Sequence, residues 1–533
     1  MTRFHLIILS ILTGLLLSFG WPANGLSILL FLGFIPLLVV ENHFFIKPGR
    51  SRMKIYPYAL ISFFIWNILT TYWIKNSTYM GAALAIILNS LFMSIVFTAF
   101  HISHRRLLKN NWAYLILIVY WISFEHLHHH WDLNWPWLNL GNGFGNHTTW
   151  VQWYEFTGML GGSIWVLAVN ILLFLGIQHW LVKKTFNRNS LIYIGTGLTI
   201  FILPILISLF IYTNYKEKSN PVNVTVIQPN VDPYAEQYSL PPTVIVNKIL
   251  GLCKDNVDSK TDFIVTPESA IQEYAEENEI NYKQSIVLLR QYLKQHPQLK
   301  IIVGMSTYRL FHPGETRTPT ARNDNGVWYD AYNTALMLDS TNMFQEHHKS
   351  KLTPGVEIMP FHDALKFLDK YAIDLGGTVG TLGMDSLQTP FLTGIRNVKI
   401  APIICYESVY GEYVSKYVRN GANLIFVITN DGWWGNTPGY KQHFLFSRLR
   451  AIETRRSVAR SANTGISAFI NQRGDVSQAT NYWVPGAIKQ TINANDELTF
   501  YVKHGDYLAR FSVLATYLAF LLTLGMIIIK KRK

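Results

Sequence analysis

Hydrophobic and polar positions divide the chain into two parts with different periodicities. Long apolar runs occur at 4–20, 25–41, 56–74, 80–101, 112–125, 160–182 and 190–212, and again at 508–529. Crossing the hydrocarbon layer of a bilayer takes about 20 apolar residues in a helix, so about eight transmembrane helices are predicted, the fifth run being the shortest. Between 222 and 471 the pattern changes to short β-branched runs: Val222–Gln228, Asp262–Thr266, Lys300–Ser306, Tyr332–Asp339, Val398–Cys405, Asn423–Thr429 and Gly465–Asn471. Near-continuous apolar runs of this length suit buried central strands, and the polar stretches between them, such as Tyr282–His296 and Gln442–Arg460, suit covering helices. That alternation predicts an α/β layered domain. The expected organisation is a membrane α-helical bundle over 1–212, an α/β domain over 213–506, and a last span with a basic tail over 507–533.

Composition sharpens the division. Hydrophobic residues make up 49% of the chain and charged residues 15%, against about 25% charged in soluble domains. From Tyr212 to Asp506 there are 29 Lys+Arg and 29 Asp+Glu, so the whole excess of +13 lies in the apolar part. A nucleic-acid partner is therefore not expected, because such a partner needs the charge on a folded binding surface. The basic residues instead fall in alternate loops: Lys47, Arg50, Arg52 and Lys54; Arg105, Arg106 and Lys109; Lys183, Lys184 and Arg188; and the tail Lys530, Lys531, Arg532 and Lys533. The opposite loops hold Lys75, and 125–158 has no Lys or Arg. The positive-inside rule then places both termini in the cytoplasm and the α/β domain outside it. A cleaved signal peptide is the alternative for the first run. Against it, Phe19–Asn24 lacks a small-x-small site and a second run follows at once.

The loop over 125–158 carries Trp131, Trp135, Trp137, Trp150, Trp153 and Tyr154, and is expected to lie in the outer membrane interface. It also holds His126, His128, His129 and His130. His126 and His130 would share a helix face as metal ligands, yet the glutamate of a His-Glu-x-x-His motif is missing, so the expected reading is a polar interfacial loop and no metal.

Three segments of the α/β domain carry candidate chemistry. Asp262-Phe-Ile-Val-Thr-Pro-Glu268 puts a carboxylate just beyond a strand, and Val398-Lys-Ile-Ala-Pro-Ile-Ile-Cys405-Tyr-Glu407 does the same for a thiol. His347-His-Lys349-Ser-Lys-Leu-Thr-Pro-Gly-Val-Glu357 supplies an ammonium and a second carboxylate. A base, a thiol and an oxyanion-stabilising cation together make an acyl-transfer set. Singly, each has a plainer reading. Cys405 could be an inert buried thiol or could pair with Cys253, Glu268 could cap a helix, and Lys349 could be a solvated charge.

The motifs together resemble a known family. Thr266-Pro-Glu268-Ser, Lys349-x-Lys-Leu-Thr-Pro-x-x-Glu357 and Ile404-Cys405-Tyr406-Glu407 are similar to the Glu–Lys–Cys motifs of the nitrilase (carbon–nitrogen hydrolase) superfamily. Within it, Asn430-Asp-Gly-Trp-Trp-Gly…Gln442-His443, Arg448-x-Arg-Ala-Ile-Glu453, Arg460-Ser-Ala-Asn-Thr-Gly-Ile and Trp135-Pro-Trp137-Leu-Asn-Leu-Gly141 resemble the bacterial apolipoprotein N-acyltransferases. The resemblance implies an α-β-β-α sandwich held on the periplasmic side of a bacterial inner membrane. It implies a ping-pong reaction in which a phospholipid acylates Cys405 and the thioester passes the chain to the N-terminal S-diacylglyceryl-cysteine of an apolipoprotein. Glu268 would be the base and Lys349 the oxyanion partner, with backbone donors near Cys405 and Tyr406. Glu357 would orient Lys349 and Glu268, Glu407 would shape the pocket, and Asn333 would lie near substrate. No cofactor is implied, and a monomer is expected.

Two departures stand out. Pro354-Gly355-Val356-Glu357 replaces the family's Pro-Phe-Gly-Glu, and a lid tryptophan is unmatched, with Tyr234 or Tyr238 offered instead. Two other functions compete: a membrane-tethered C–N hydrolase or amidase, in which water resolves the thioester, and a transporter or receptor. The second fits poorly, because the apolar runs hold almost no ionisable residues at mid-depth.

Overall fold

The computed structural model describes residues 1–46, 52–108, 110–361 and 381–532. Lys47, Arg50, Lys109 and Lys533 lie outside the described residues. The chain forms two compact units, one of Met1–Asn214 with His504–Lys533 and one of Tyr215–Lys503.

The first unit is helical. Among the described residues, six of its helices are long and apolar enough to cross a membrane: Arg3–Gly20, Ser27–Ile46, Tyr79–Arg106, Met159–Gln178, Arg188–Asn214 and Tyr507–Ile529. The third and fifth expected spans differ. They form α-helices of only 16 residues (Tyr56–Thr71) and 13 residues (Leu115–Leu127). Both are extended by 3-10 turns, at Arg52–Ile55, Tyr72–Asn76 and Asn111–Tyr114, which rise more per residue than an α-helix.

The unit is not wholly apolar inside. Glu41 is fully buried, and its Oε1 lies 2.7 Å from His101 Nδ1 and 3.1 Å from His104 Nδ1, while the Tyr114 hydroxyl donates to its Oε2 at 3.3 Å. A buried carboxylate requires such partners, and these tie three helical segments together. The aromatic loop is partly buried within this unit. It folds as 3-10 turns at Pro136–Leu138, Leu140–Phe144 and Thr148–Trp150, with Trp137, Leu138, Leu140 and Phe144 buried. Buried Glu125 anchors it, accepting from Leu140 N at 2.8 Å and Trp121 Nε1 at 3.0 Å. The rings of His126 and His130 lie 4.3 Å apart.

The second unit contains β1 (Pro221–Gln228), β2 (Phe263–Val265), β3 (Ile271–Glu276), β4 (Lys300–Leu310), β5 (Arg322–Asp324), β6 (Val327–Leu338) and β7 (Phe344–His348). There follow β8 (Phe391–Leu392), β9 (Lys399–Ile404), β10 (Leu424–Thr429), β11 (Val458–Ala462), β12 (Ala468–Ile470), β13 (Val476–Ser477) and β14 (Gly486–Asn493). One sheet has the order β14-β1-β2-β4-β6-β5, with β3 beside β4 and β7 beside β6. The other has the order β13-β12-β11-β10-β9-β8.

Alternation along the strands builds the layers. Val222, Val224 and Val226 of β1 join Phe263, Val265, Ala335 and Met337 against Ile400, Ile404, Leu424, Phe426 and Ile428 of the second sheet. On the outer face of the first sheet, Ile227, Ile264, Val303 and Leu336 pack against the helices Pro242–Cys253 and Gln284–Gln295. The helices Gly411–Arg419 and Pro438–Thr454 belong to the connections of the second sheet. The result is the α-β-β-α sandwich. The helix expected over Gln442–Arg460 ends at Thr454, and Val458–Ala462 is a strand paired in parallel with β10. Arg460 and Ser461 hid that strand, because both are polar and both are fully buried.

Candidate active site

Four loops, those leaving β2, β7, β9 and β10, meet at one site. Glu268 follows β2 across Thr266-Pro267, where Thr266 N still bonds Ile302 O at 2.9 Å. Gly304 of β4 permits this passage: a Cβ there would stand 2.5 Å from Ser269 N and 2.7 Å from Glu268 Cα. Lys349 is the first residue after β7, its N–H held by Asn333 O at 2.9 Å. Cys405 is the first residue after β9 and opens a 3-10 turn, Cys405–Val409, with φ of +49°. A side chain in that left-handed region is strained and persists only where its surroundings fix it.

The predicted carboxylates, ammonium and amide are brought together. Lys349 Nζ lies 2.9 Å from Glu268 Oε1 and 2.8 Å from Glu357 Oε1. Asn333 Nδ2 donates to the same two oxygens at 2.8 and 3.2 Å, and Asn430 N donates to Glu268 Oε2 at 3.0 Å. Glu357 is fixed in turn by Thr353 N at 2.9 Å, so the altered Pro354-Gly355-Val356 loop still delivers its carboxylate to Lys349. Burial opposes the Lys349 charge, yet Glu268 and Glu357 hold its pKa well above the usual lysine value. Burial first and the Glu268 carboxylate second push the Cys405 thiol well above its ordinary value, with Lys349 pulling the other way. Burial and the Glu268 carboxylate thus disfavour the free thiolate. Cys405 and Cys253 are both free, and Cys253 is buried in the core beneath the first sheet, which disposes of the disulfide alternative.

Glu407 is a fully buried hub. Its carboxylate accepts from Ile404 N and Ser350 N, each at 2.7 Å, and from the Tyr413 hydroxyl at 2.5 Å, with His347 Nε2 at 3.2 Å. It therefore joins the residue before Cys405 to the residue after Lys349. Tyr406 is buried, its ring edge-on to Tyr410 at 5.2 Å. Tyr234 and Tyr238 both lie against Trp433, at 5.1 and 6.3 Å, and the Tyr234 hydroxyl donates to Trp433 O at 2.7 Å.

Several partners escaped the sequence reading. Asp385 accepts from His348 N at 2.8 Å and lies 3.1 Å from His347 Nδ1 and 2.9 Å from His348 Nδ1. Adjacent histidines beside Lys349 were the available signal. Among the described residues, Glu277, Glu346 and His348 are grouped closely enough to hold a cation. His348 is instead bracketed by carboxylates, with Glu277 Oε1 2.9 Å from Nε2. Burial opposes charge on both histidines, but Glu407 and Asp385 bring His347 up to about 9, and Asp385 and Glu277 bring His348 up to about 10. Folded values above the unfolded one mean that this stabilisation is complete below about pH 6.5 and is lost as pH rises through the folded values. The thermal midpoint of the protein is expected to fall between pH 7 and 10, and to fall less in Asp385→Asn. A midpoint flat across that window in the wild type would remove the ion pairs.

Residues 223–497 match the carbon-nitrogen hydrolase family. The chain belongs to that family. Residues 13–172 match the apolipoprotein N-acyltransferase N-terminal domain, so this carbon–nitrogen hydrolase domain follows a second domain of known type. Among curated proteins the chain is similar to an apolipoprotein N-acyltransferase of Chlorobaculum tepidum, 28% identical over 93% of this chain and 92% of that one. It is also similar to one of Geobacter metallireducens, 25% identical over 94% of this chain and 92% of that one. Among solved structures it is similar to an amidase from Nesterenkonia sp., at 13% identity and a TM-score of 0.36, over 56% of this chain and 98% of that one.

Proposed function

We propose that the chain is a phospholipid:apolipoprotein N-acyltransferase that works through a thioester on Cys405. The observation that carries this reading is the buried Glu268–Lys349 pair, 2.9 Å apart, beside a thiol held in strained backbone, in a chain that also has the family's N-terminal domain. Full-length similarity to apolipoprotein N-acyltransferases favours an amine over water as the acceptor, and so disfavours the hydrolase or amidase alternative.

The charge arrangement dictates how the steps run. Because burial and Glu268 disfavour a free thiolate, proton transfer from sulfur to Glu268 accompanies attack on the phospholipid ester carbon. An ammonium has three donors. Two of those on Lys349 serve Glu268 and Glu357, which leaves one for the developing oxyanion. As the C–O bond breaks, Glu268 returns its proton to the departing lysophospholipid oxygen. In the second half the α-amine of a diacylated apolipoprotein attacks the thioester, its proton passes by way of Glu268 to the leaving sulfur, and an amide forms. Asn333 and Glu357 are positioning residues in this scheme, and Glu407 and Tyr406 support the nucleophile's turn. The six long apolar helices and the basic loops support a multi-pass protein of the bacterial inner membrane, with both termini cytoplasmic and the catalytic domain periplasmic.

The test uses purified full-length protein with a phospholipid labelled in its acyl chain. Mass spectrometry is expected to find the chain on Cys405, and a diacylglyceryl-cysteine peptide is expected to remove it as an amide. Cys405→Ala should give neither product. Label released only as free fatty acid would favour the hydrolase, and an acyl-enzyme that survives Cys405→Ala would refute the assignment.

A further inference from the structure

Asp431, His443 and Arg460 converge behind the nucleophile and take no part in the steps above. His443 Nε2 lies 3.1 Å from Cys405 O and 3.0 Å from Ser408 Oγ, and Ser408 donates to the same carbonyl at 2.8 Å. On its other side, His443 Nδ1 lies 2.8 Å from Asp431 Oδ1, and Asp431 Oδ2 is bound by Arg460 at 2.6 Å. Thr429 closes the circuit: its hydroxyl donates to Asp431 Oδ1 at 2.8 Å and also reaches the Cys405 thiol. Ser408, Asp431, His443 and Arg460 are all fully buried.

Ser408, His443 and Asp431 have the spacing of a hydrolytic triad, but the site is sealed and the serine proton is committed to a carbonyl. A second nucleophile is the wrong reading. A carbonyl oxygen has two lone pairs, and Ser408 and His443 between them meet both on Cys405. That carbonyl belongs to the residue whose φ is +49°. Backbone strain at a reactive residue lasts only where fixed partners over-determine it.

We propose that Asp431, His443 and Arg460 form a positioning relay, in which His443 donates from Nε2 to the Cys405 carbonyl and so holds the nucleophile in its left-handed, attacking conformation. Asp431, itself bound by Arg460, accepts from Nδ1 and so aims the ring, which donates from both nitrogens. Thr429 donates to the same carboxylate and neighbours the Cys405 sulfur. This inference rests on Cys405 as the nucleophile, which Cys405→Ala tests separately.

The amide side chains separate the two ends of the imidazole. His443→Asn keeps a group at the Nδ1 position facing Asp431 and loses the contact to Cys405. His443→Gln keeps a donor at the Nε2 position and loses the Asp431 contact. In single-turnover acylation by labelled phospholipid with the full chain, His443→Asn is expected to lower the rate constant by about 10²-fold, as ångström misplacement of a reacting group does. Half-saturation by phospholipid should not change, and His443→Gln should recover about tenfold of the loss. The pH profile of Cys405 alkylation by iodoacetamide should shift in His443→Asn. Asp431→Asn, isosteric at the anchor, should lower the acylation rate constant in the same way. Wild-type acylation in His443→Asn or Asp431→Asn would overturn the relay. So would losses that merely track the folded fraction with the alkylation profile unmoved.

Discussion

Lys349→Met is expected to abolish acyl-enzyme formation, by at least about 10³-fold in single turnover, and to destabilise the catalytic domain by about 3–5 kcal/mol. The lysine is 2% exposed and lies between two carboxylates, at 2.9 Å from Glu268 and 2.8 Å from Glu357. Removing it strips the oxyanion of its cation and leaves buried Glu268 and partly buried Glu357 sharing the Asn333 amide. Without the ammonium the two carboxylates repel each other with nothing to offset the repulsion, which disturbs the position of Glu268 as well as removing the oxyanion partner. Lys349→Arg should fare little better, because a planar guanidinium cannot occupy the compact position of an ammonium between the two oxygens. Rates near wild type in the Met variant, in protein with an unchanged thermal midpoint, would mean that the oxyanion is held elsewhere.

The same pairing explains which features were legible in the sequence. Glu268 and Cys405 stood out because each lies just beyond an apolar strand, where this fold places reactive groups, and Lys349 stood out through the motif it shares with Glu357. The central strands β1, β2, β4, β6, β9 and β10 were read from near-continuous apolar runs, which burial on both faces requires. What escaped detection was polar and buried. β11 reads Val-Ala-Arg-Ser-Ala, and its arginine is acceptable only because Asp431, distant in sequence, neutralises it inside the domain. β7 and β14 are peripheral strands with mixed composition, and no periodicity distinguishes them from loops. Asp385 gave no local sign of its role, since its histidine partners lie 37 and 38 residues away. In the helical unit, counting apolar residues overstated the continuous α-helix at Tyr56–Thr71 and Leu115–Leu127, because hydropathy does not distinguish an α-turn from a 3-10 turn.

Glu407→Gln is expected to cost about 3–5 kcal/mol and to slow acylation even though the side chain is nearly isosteric and never meets substrate. Each group around this carboxylate is a donor: two backbone N–H groups, the Tyr413 hydroxyl and His347 Nε2. An amide can accept on one oxygen only, so its NH2 must face at least one of these donors, and an N–H left unpaired in a buried site carries a desolvation penalty. The damage falls on the join between the strands, because Ile404 and Ser350 are the neighbours of Cys405 and Lys349. Burial would raise the Glu407 pKa, but His347 and the donated hydrogen bonds hold it below the usual carboxylate range. Its stabilising contribution is therefore present above the unfolded carboxylate value of about 4.3 and is lost as pH falls. Wild-type protein should lose its thermal midpoint steeply on acidification from pH 5, and Glu407→Gln should start lower and fall less. Measured together, acylation rate and midpoint distinguish a joint from a catalyst. A Glu407→Gln protein with normal stability and a thousandfold slower reaction would place the carboxylate in the chemistry itself. Loss of stability with a slower but still Cys405-dependent reaction is what a brace between two catalytic loops requires.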